Sequence, residues 1–198
     1  MHRLLVATGN PGKMQEMSAL LADLPFELVA PGDLGITLQV VEDGSTYVEN
    51  AIKKAEAFAA ECGLPSLADD TGLEVQALGG APGLYSKRYL PSEDASDADR
   101  RAFLIQNLGA KPRPWTARFR AAVAISVPNG ATRWAEGECR GEIIPQERGR
   151  GGFGYDQVFL VEATGLTMAE LDLETKNRIS HRGQAIRHAL PILHDLVR

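Results

Sequence analysis

Cysteine is scarce: the 198 residues hold only Cys62 and Cys139, far apart and outside any CxxC pair. A disulfide framework is thereby excluded, and two reduced, buried thiols are expected. His2, His181, His188 and His194 form no HExxH and meet no cysteine at zinc spacing, so no structural zinc site is expected either. Long apolar runs are also missing; none approaches the roughly 18–20 residues that span a bilayer. The opening MHRLLVATGN has five apolar residues before a polar turn. A secretory segment needs roughly 7–15, so a cytoplasmic protein with no membrane partner is expected. Positive charge is in deficit, 21 Lys plus Arg against 26 Asp plus Glu, for a net −5. Nucleic-acid polymers and anionic membranes require a broad basic field, so a polyanion must be met locally if at all. What remains is ordinary globular composition, 44% hydrophobic and 24% charged. At about 150 residues per domain, the length predicts a single domain over 1–198.

The pattern along the chain is α/β. RLLVA at 3–7 reads as a strand closed by Thr8-Gly9-Asn10-Pro11-Gly12, after which Met14, Met17, Leu20, Leu21 and Leu24 recur at helical spacing. FELVA at 26–30 is a second strand. Thr46-x-x-Glu49 has the form of a capping box opening a helix to Gly63, with Val48, Ile52, Ala55, Ala59 and Cys62 expected inward. A short strand toward Ala68, the tetrapeptide DDTG and a second short strand, LEVQAL, follow; Ser96–Leu108 is again helical. ARFRAAVAISV alternates Ala117, Phe119, Ala121, Val123, Ile125 and Val127 on one face and turns at Pro128-Asn129-Gly130 into a hairpin. Residues 167–198 are helical by period, with Pro191 expected to kink or interrupt the stripe. A βα unit beside a long antiparallel hairpin predicts a mixed sheet.

Several clusters carry chemistry. TGNPGK puts two glycines, Asn10 and Lys13 at a helix N-terminus, where backbone N–H groups, the helix dipole and an ammonium favour an anion. It is not a P-loop, because Gly9 lies only four residues before Lys13 and Met14 replaces the magnesium-binding hydroxyl. GRGGFG at 149–154 matches GxGxxG literally, but no strand precedes it and no helix follows, so a ligand-approaching or tight turn is expected instead. Asp69 and Asp70 are adjacent on a strand and must point to opposite faces, so only one can be aimed at a given site. With Glu42, Asp43 and Glu49 they are hard oxygen donors of the kind that suit Mg²⁺. Lys176, Ser180, His181 and Arg182 place basic side chains at a helix entrance, against the dipole, an inconsistency that marks function. KPRPW with Arg118 and Arg120 reads as a solvated loop and strand face.

TGNPGK, ENAxxKA at 49–55, LADDTGLEV at 67–75, GGAPGLYSKRY at 79–89, GGFGYD at 151–156 and SHRGQA at 180–185 occur in order along the chain. Together they resemble the inosine triphosphate pyrophosphatase family, whose bacterial members are the dITP/XTP pyrophosphatases. The resemblance implies a two-lobed α/β fold, a long twisted mixed sheet flanked by helices with the nucleotide cleft between the lobes. It implies Mg²⁺-dependent hydrolysis of ITP, dITP and XTP to the monophosphate plus pyrophosphate by a homodimer. By motif position, Thr8, Gly9, Asn10, Pro11, Gly12 and Lys13 would bind substrate, with Lys54 as a second phosphate contact. Asp70 would be the proton acceptor and, with Glu42, a metal ligand, and Thr71 would touch substrate. Phe153, Gly154, Tyr155, Asp156, Lys176, His181 and Arg182 would hold the base. Competing readings are a pyrophosphatase for another modified nucleotide and a nucleotide-binding protein without turnover. Asp70, Lys13 and Arg182 occurring together speak against the latter.

Overall fold

Leu4, Leu5 and Val6 are wholly buried and draw the first apolar run into a strand, β1 (His2–Val6). A computed structural model describes residues 2–92 and 94–197. After β1 come α1 (Pro11–Leu20), β2 (Phe26–Val29), α2 (Tyr47–Cys62), β3 (Ser66–Val75), β4 (Pro82–Gly83) and α3 (Asp97–Leu108). β5 (Trp115–Ser126), β6 (Thr132–Ile143), β7 (Phe159–Val161), α4 (Leu173–Ile179) and α5 (His181–Asp195) complete the order. The strands form one sheet, β2-β1-β3-β5-β6-β7, with β4 on β3. β1 is parallel to β2 and β3, whereas β4 on β3 and β7 on β6 are antiparallel, which is the mixed α/β sheet expected.

The expected Asp-rich break in β3 does not exist. Ser66–Val75 is one ten-residue strand, and the stretch expected as its continuation, Gln76–Leu78, is a 3₁₀ turn. Burial overrides the poor strand propensity of DDTG, since neighbours occupy the carboxylates. Register matters for function: Val6, the last residue of β1, pairs with Leu67, so β3 runs on past β1 carrying Asp69 and Asp70 beside the turn that leaves β1. Helix α2 is capped by Thr46 at its start and by Gly63, at φ 68°, at its end. The capping box is only half made: Thr46 Oγ1 accepts the Glu49 N–H, but the Glu49 carboxylate reaches back to Ser45 N and Oγ. The inward face also differs from the one expected. Tyr47, Asn50, Ala51, Ala55, Phe58 and Ala59 are buried, while Val48, Ile52 and Cys62 are half-buried. Of the stretch expected helical from 167, residues 167–172 are not helix and α4 and α5 supply the rest; α5 opens directly after Ser180 (ψ 160°), the helix entrance expected there, and residue 198 lies outside the described residues. Pro191 lies within α5 without ending it.

Two compact units result, residues 1–70, 121–137 and 181–198, and residues 71–120 and 138–180. The first is cored by Leu4, Val6, Met17, Leu67, Val123, Ile125, Ala185, Ile186 and Leu193. The second is cored by Leu73, Leu104, Leu108, Trp115, Phe119, Ile143, Phe159 and Met168. The single β5 stripe expected from alternation therefore serves both cores, with Ala117 and Phe119 in one and Ala121, Val123 and Ile125 in the other. Cys139 is buried, its thiol pushed up to about 11 by burial and then by neighbouring carboxylates. Among the described residues no helix is long and apolar enough to cross a membrane.

Gly137 on β6 sets how closely α5 packs. A Cβ there would lie 2.3 Å from the His181 carbonyl oxygen and 2.5 Å from Ala185 N. Gly137→Ala is expected to destabilise the protein by about 1–3 kcal/mol, because the helix backbone must shift. Urea denaturation measures it, and an unchanged midpoint would contradict this packing.

Candidate active site

In the first unit the site begins at the turn after β1. Thr8 Oγ1 accepts the Asn10 N–H at 3.1 Å, and Asn10, the N-cap of α1, accepts the Lys13 N–H at 3.1 Å. With Pro11 at the first helical position, the cap locks Lys13 onto the opening turn of α1. Lys13 Nζ reaches Asp69 Oδ2 at 3.0 Å. The same oxygen receives Nε and Nη2 of Arg182 from α5, both at 3.1 Å, while Arg182 Nη1 bonds Glu16 on α1. Arg182, Asp69 and Glu16 are all almost wholly buried. Burial alone would raise Asp69, but Lys13 and Arg182 hold its carboxyl far below the usual range. Burial also draws the Lys13 ammonium below the usual lysine range, against the pull of Asp69.

Asp70, one residue on and pointing the other way, has the opposite character. Burial raises it above the usual carboxylate range, and the nearby Glu42 charge adds to this. Lys54 and the amide of Asn50, whose Nδ2 donates to Asp70 Oδ2 at 2.9 Å, only moderate the effect. Asn50 Oδ1 accepts the Gly44 N–H at 2.7 Å, tying the 42–44 segment to α2. One helical turn further, Lys54 pairs with Glu42 and donates to the Asp69 carbonyl at 2.9 Å. Thus Thr8–Lys13, Glu42, Lys54, Asp70 and Arg182 belong to one unit. So does His181, which is buried.

Thr71, Phe153, Gly154, Tyr155, Asp156 and Lys176 belong to the second unit, so the basic cluster 176–182 is divided between α4 and α5. Asp156 Oδ2 accepts both the Phe153 N–H at 2.9 Å and Lys176 Nζ at 2.6 Å. The Lys176 ammonium stands 5.0 Å from the Phe153 ring centroid, within cation–π range. Gly152, at φ 69°, is required here, because a Cβ would come within 2.0 Å of that Asp156 oxygen. Tyr155 is anchored through its hydroxyl, which donates to the Ser86 carbonyl at 2.8 Å.

Arg182, expected to contact the base, has partners in the interior of the first unit. Its guanidinium is directed inward onto Asp69 and Glu16, so in this structure it orders the acid that holds Lys13. Neither Asn50 nor Glu16 was anticipated as part of the site. Glu16 is polar but buried on the α1 face that carries Met17, and that mismatch was the available signal.

Glu42 and Asp70 fit a hard divalent cation. The Glu42 charge is one of the causes that raise Asp70, and a cation between them would oppose it. Among the described residues no three or more His, Cys, Asp or Glu side chains gather to hold a metal ion.

The lysine-bearing helix N-terminus and the two adjacent acids lie in one α/β unit, and the sequence relatives supply the class, nucleoside triphosphate pyrophosphatases. The chain belongs to the Ham1 family, whose family model matches residues 4–192. It is 49% identical over 187 residues to the dITP/XTP pyrophosphatase of Geobacter sulfurreducens, covering 94% of each chain. It is 45% identical over 196 residues to that of Desulforamulus reducens, covering 98% of this chain and 96% of the other. A solved HAM1 protein from Coxiella burnetii superposes with a TM-score of 0.87 at 39% identity, covering 98% of this chain and 100% of that one.

Removing one partner of a buried ion pair costs about 3–5 kcal/mol. Glu16→Gln should therefore lower unfolding stability by that order at pH 7, measured by urea denaturation. A loss below about 1 kcal/mol would mean that Arg182 needs only Asp69.

Proposed function

We propose that this enzyme hydrolyses deaminated purine nucleoside triphosphates, ITP, dITP and XTP, to the monophosphate and pyrophosphate, clearing them from the cytoplasmic nucleotide pool. The observation that carries the reading is the opposed environment of two adjacent acids, on a chain nearly half identical to dITP/XTP pyrophosphatases over most of its length. Asp69 is spent on cations, whereas Asp70 keeps a raised proton affinity, as a general base requires.

In this account Thr8–Lys13 and Lys54 bind and neutralise the triphosphate. Asp70 orients a water and takes its proton as the water oxygen bonds to phosphorus. The anhydride bond between the α- and β-phosphates breaks, and pyrophosphate leaves on its bridging oxygen. Mg²⁺, when bound by Glu42 and Asp70, supplies further charge neutralisation on the phosphates. Thr71 contacts substrate, and Phe153–Asp156, Lys176, His181 and Arg182 hold the base, with the Phe153 ring stacking on the purine. Inosine and xanthine carry an acceptor at C6 where adenine has a donor, so donors such as Arg182 and His181 favour the deaminated bases. A site that demands a specific hydrogen bond can discriminate by roughly 10⁴–10⁵. The working form proposed is a homodimer, which light scattering tests.

With Mg²⁺ and a panel of ITP, dITP, XTP, GTP, ATP and dUTP, the protein is expected to release pyrophosphate from the first three. Asp70→Asn should lower kcat by about 10²–10⁴-fold while preserving the fold by circular dichroism. Release of orthophosphate, or full turnover by Asp70→Asn, would overturn the mechanism.

A further inference from the structure

The segment that carries Phe153 is gripped from outside by two side chains of α3 to which no role has been given. Gly154 stands at φ 62°, and both of its backbone polar groups are taken. Its N–H donates to Asp97 Oδ2 at 2.7 Å, and its carbonyl accepts from Arg101 Nη1 at 2.8 Å. Asp97 and Arg101 are four residues apart on α3, hence on one face, one turn apart. They close on Gly154 from a sequence distance of more than fifty residues.

Each clamp residue is itself braced. Asp97 Oδ1 accepts from Arg100 Nη2 at 2.9 Å, leaving Oδ2 for Gly154. Arg101 is buried and held by Glu147, Nε to Oε1 at 2.7 Å and Nη2 to Oε2 at 3.2 Å. Charge-assisted bonds of this kind are shorter and stronger than neutral ones. They hold a residue with no side chain of its own, so their effect passes along the backbone. The neighbour on one side is Phe153, half-buried, with Lys176 against its ring; on the other is the anchored Tyr155. Asp156 holds the Phe153 N–H, and α3 holds the next residue, so the ring direction is set by backbone tethers on both sides. A stacking surface fixed before substrate arrives loses less freedom on binding, and that gain appears in affinity.

We propose that Asp97 and Arg101 are positioning residues for base recognition: by clamping Gly154 they hold Phe153 in its stacking orientation and so set the affinity for the purine. The inference rests on the reading of Phe153–Asp156 as the base site.

Steady-state kinetics of the full-length protein with ITP and Mg²⁺ test it. Asp97→Ala and Arg101→Ala are expected to raise KM about tenfold with kcat within about twofold, the loss of one charge-assisted bond each. Arg101→Lys, which keeps a donor for the Gly154 carbonyl, should recover part of the loss. Inhibition by tripolyphosphate, which has no base, should not change. In a Phe153→Ala background Asp97→Ala should add nothing, because both act through one ring. If Arg101→Ala fails to fold, Asp97→Asn, which retains an acceptor and loses only charge, carries the test with a KM rise of about threefold. Phe153→Ala raising KM while the soluble clamp variants leave it unchanged would overturn the clamp alone. Phe153→Ala leaving KM unchanged would overturn the base-site reading beneath it. Weaker tripolyphosphate inhibition in the clamp variants would show a general structural role and also overturn the proposal.

Discussion

The carboxylate of Asp69, buried in β3 and bonded at one oxygen by both Arg182 and Lys13, is the contact on which the first unit depends. Bringing these charges out of water is costly, and the cost is offset only because each meets a counter-charge: Arg182 has Glu16 as well as Asp69, and Lys13 has Asp69. The chain of pairs joins α1, β3 and α5. It holds Lys13 at the turn that leaves β1. Strand alternation then directs the next residue, Asp70, to the other face, where burial and Glu42 raise its proton affinity. Two adjacent aspartates thus stand in opposed environments, Asp69 between Lys13 and Arg182 and Asp70 beside Asn50 and Glu42.

The second unit uses the same device on another lysine. Asp156 binds Lys176 and the Phe153 N–H through one oxygen, so a buried acid again fixes a cation, here beside the Phe153 ring. The net charge of −5 is compatible with a triphosphate substrate for this reason. Positive charge is concentrated on lysines seated by buried carboxylates, which favours a small polyanion over a long one.

Local chemistry was legible where it is self-contained. The strand–turn–helix of TGNPGK, the helix up to Leu108 and the β5–β6 hairpin follow from turn residues, helical period and alternation, and all stand in the structure. Asp69 and Asp70 facing opposite ways followed from the strand period alone. What could not be read locally depends on partners distant in sequence. β3 looked broken at DDTG because nothing nearby announces that Arg182, 113 residues on, neutralises Asp69. The buried face of α2 was read only in part: Ala55 and Ala59 are buried as expected, but Asn50, a polar residue, turns inward to serve Asp70 and Gly44. The buried pairs that Arg182 makes with Asp69 and Glu16 are equally invisible locally, since both acids lie more than a hundred residues away. The α3 clamp on Gly154 is equally silent, since its two halves lie in separate stretches of chain.

The division of labour between Asp69 and Asp70 is tested most directly by carboxyl-carbon NMR titration of the metal-free protein in EDTA. Asp70 should take up its proton first as pH falls, above the ordinary aspartate value of about 3.9. Asp69 should stay ionised down to the lowest pH at which the fold survives. Asp69 protonating before Asp70, or both titrating near the ordinary value, would contradict the account.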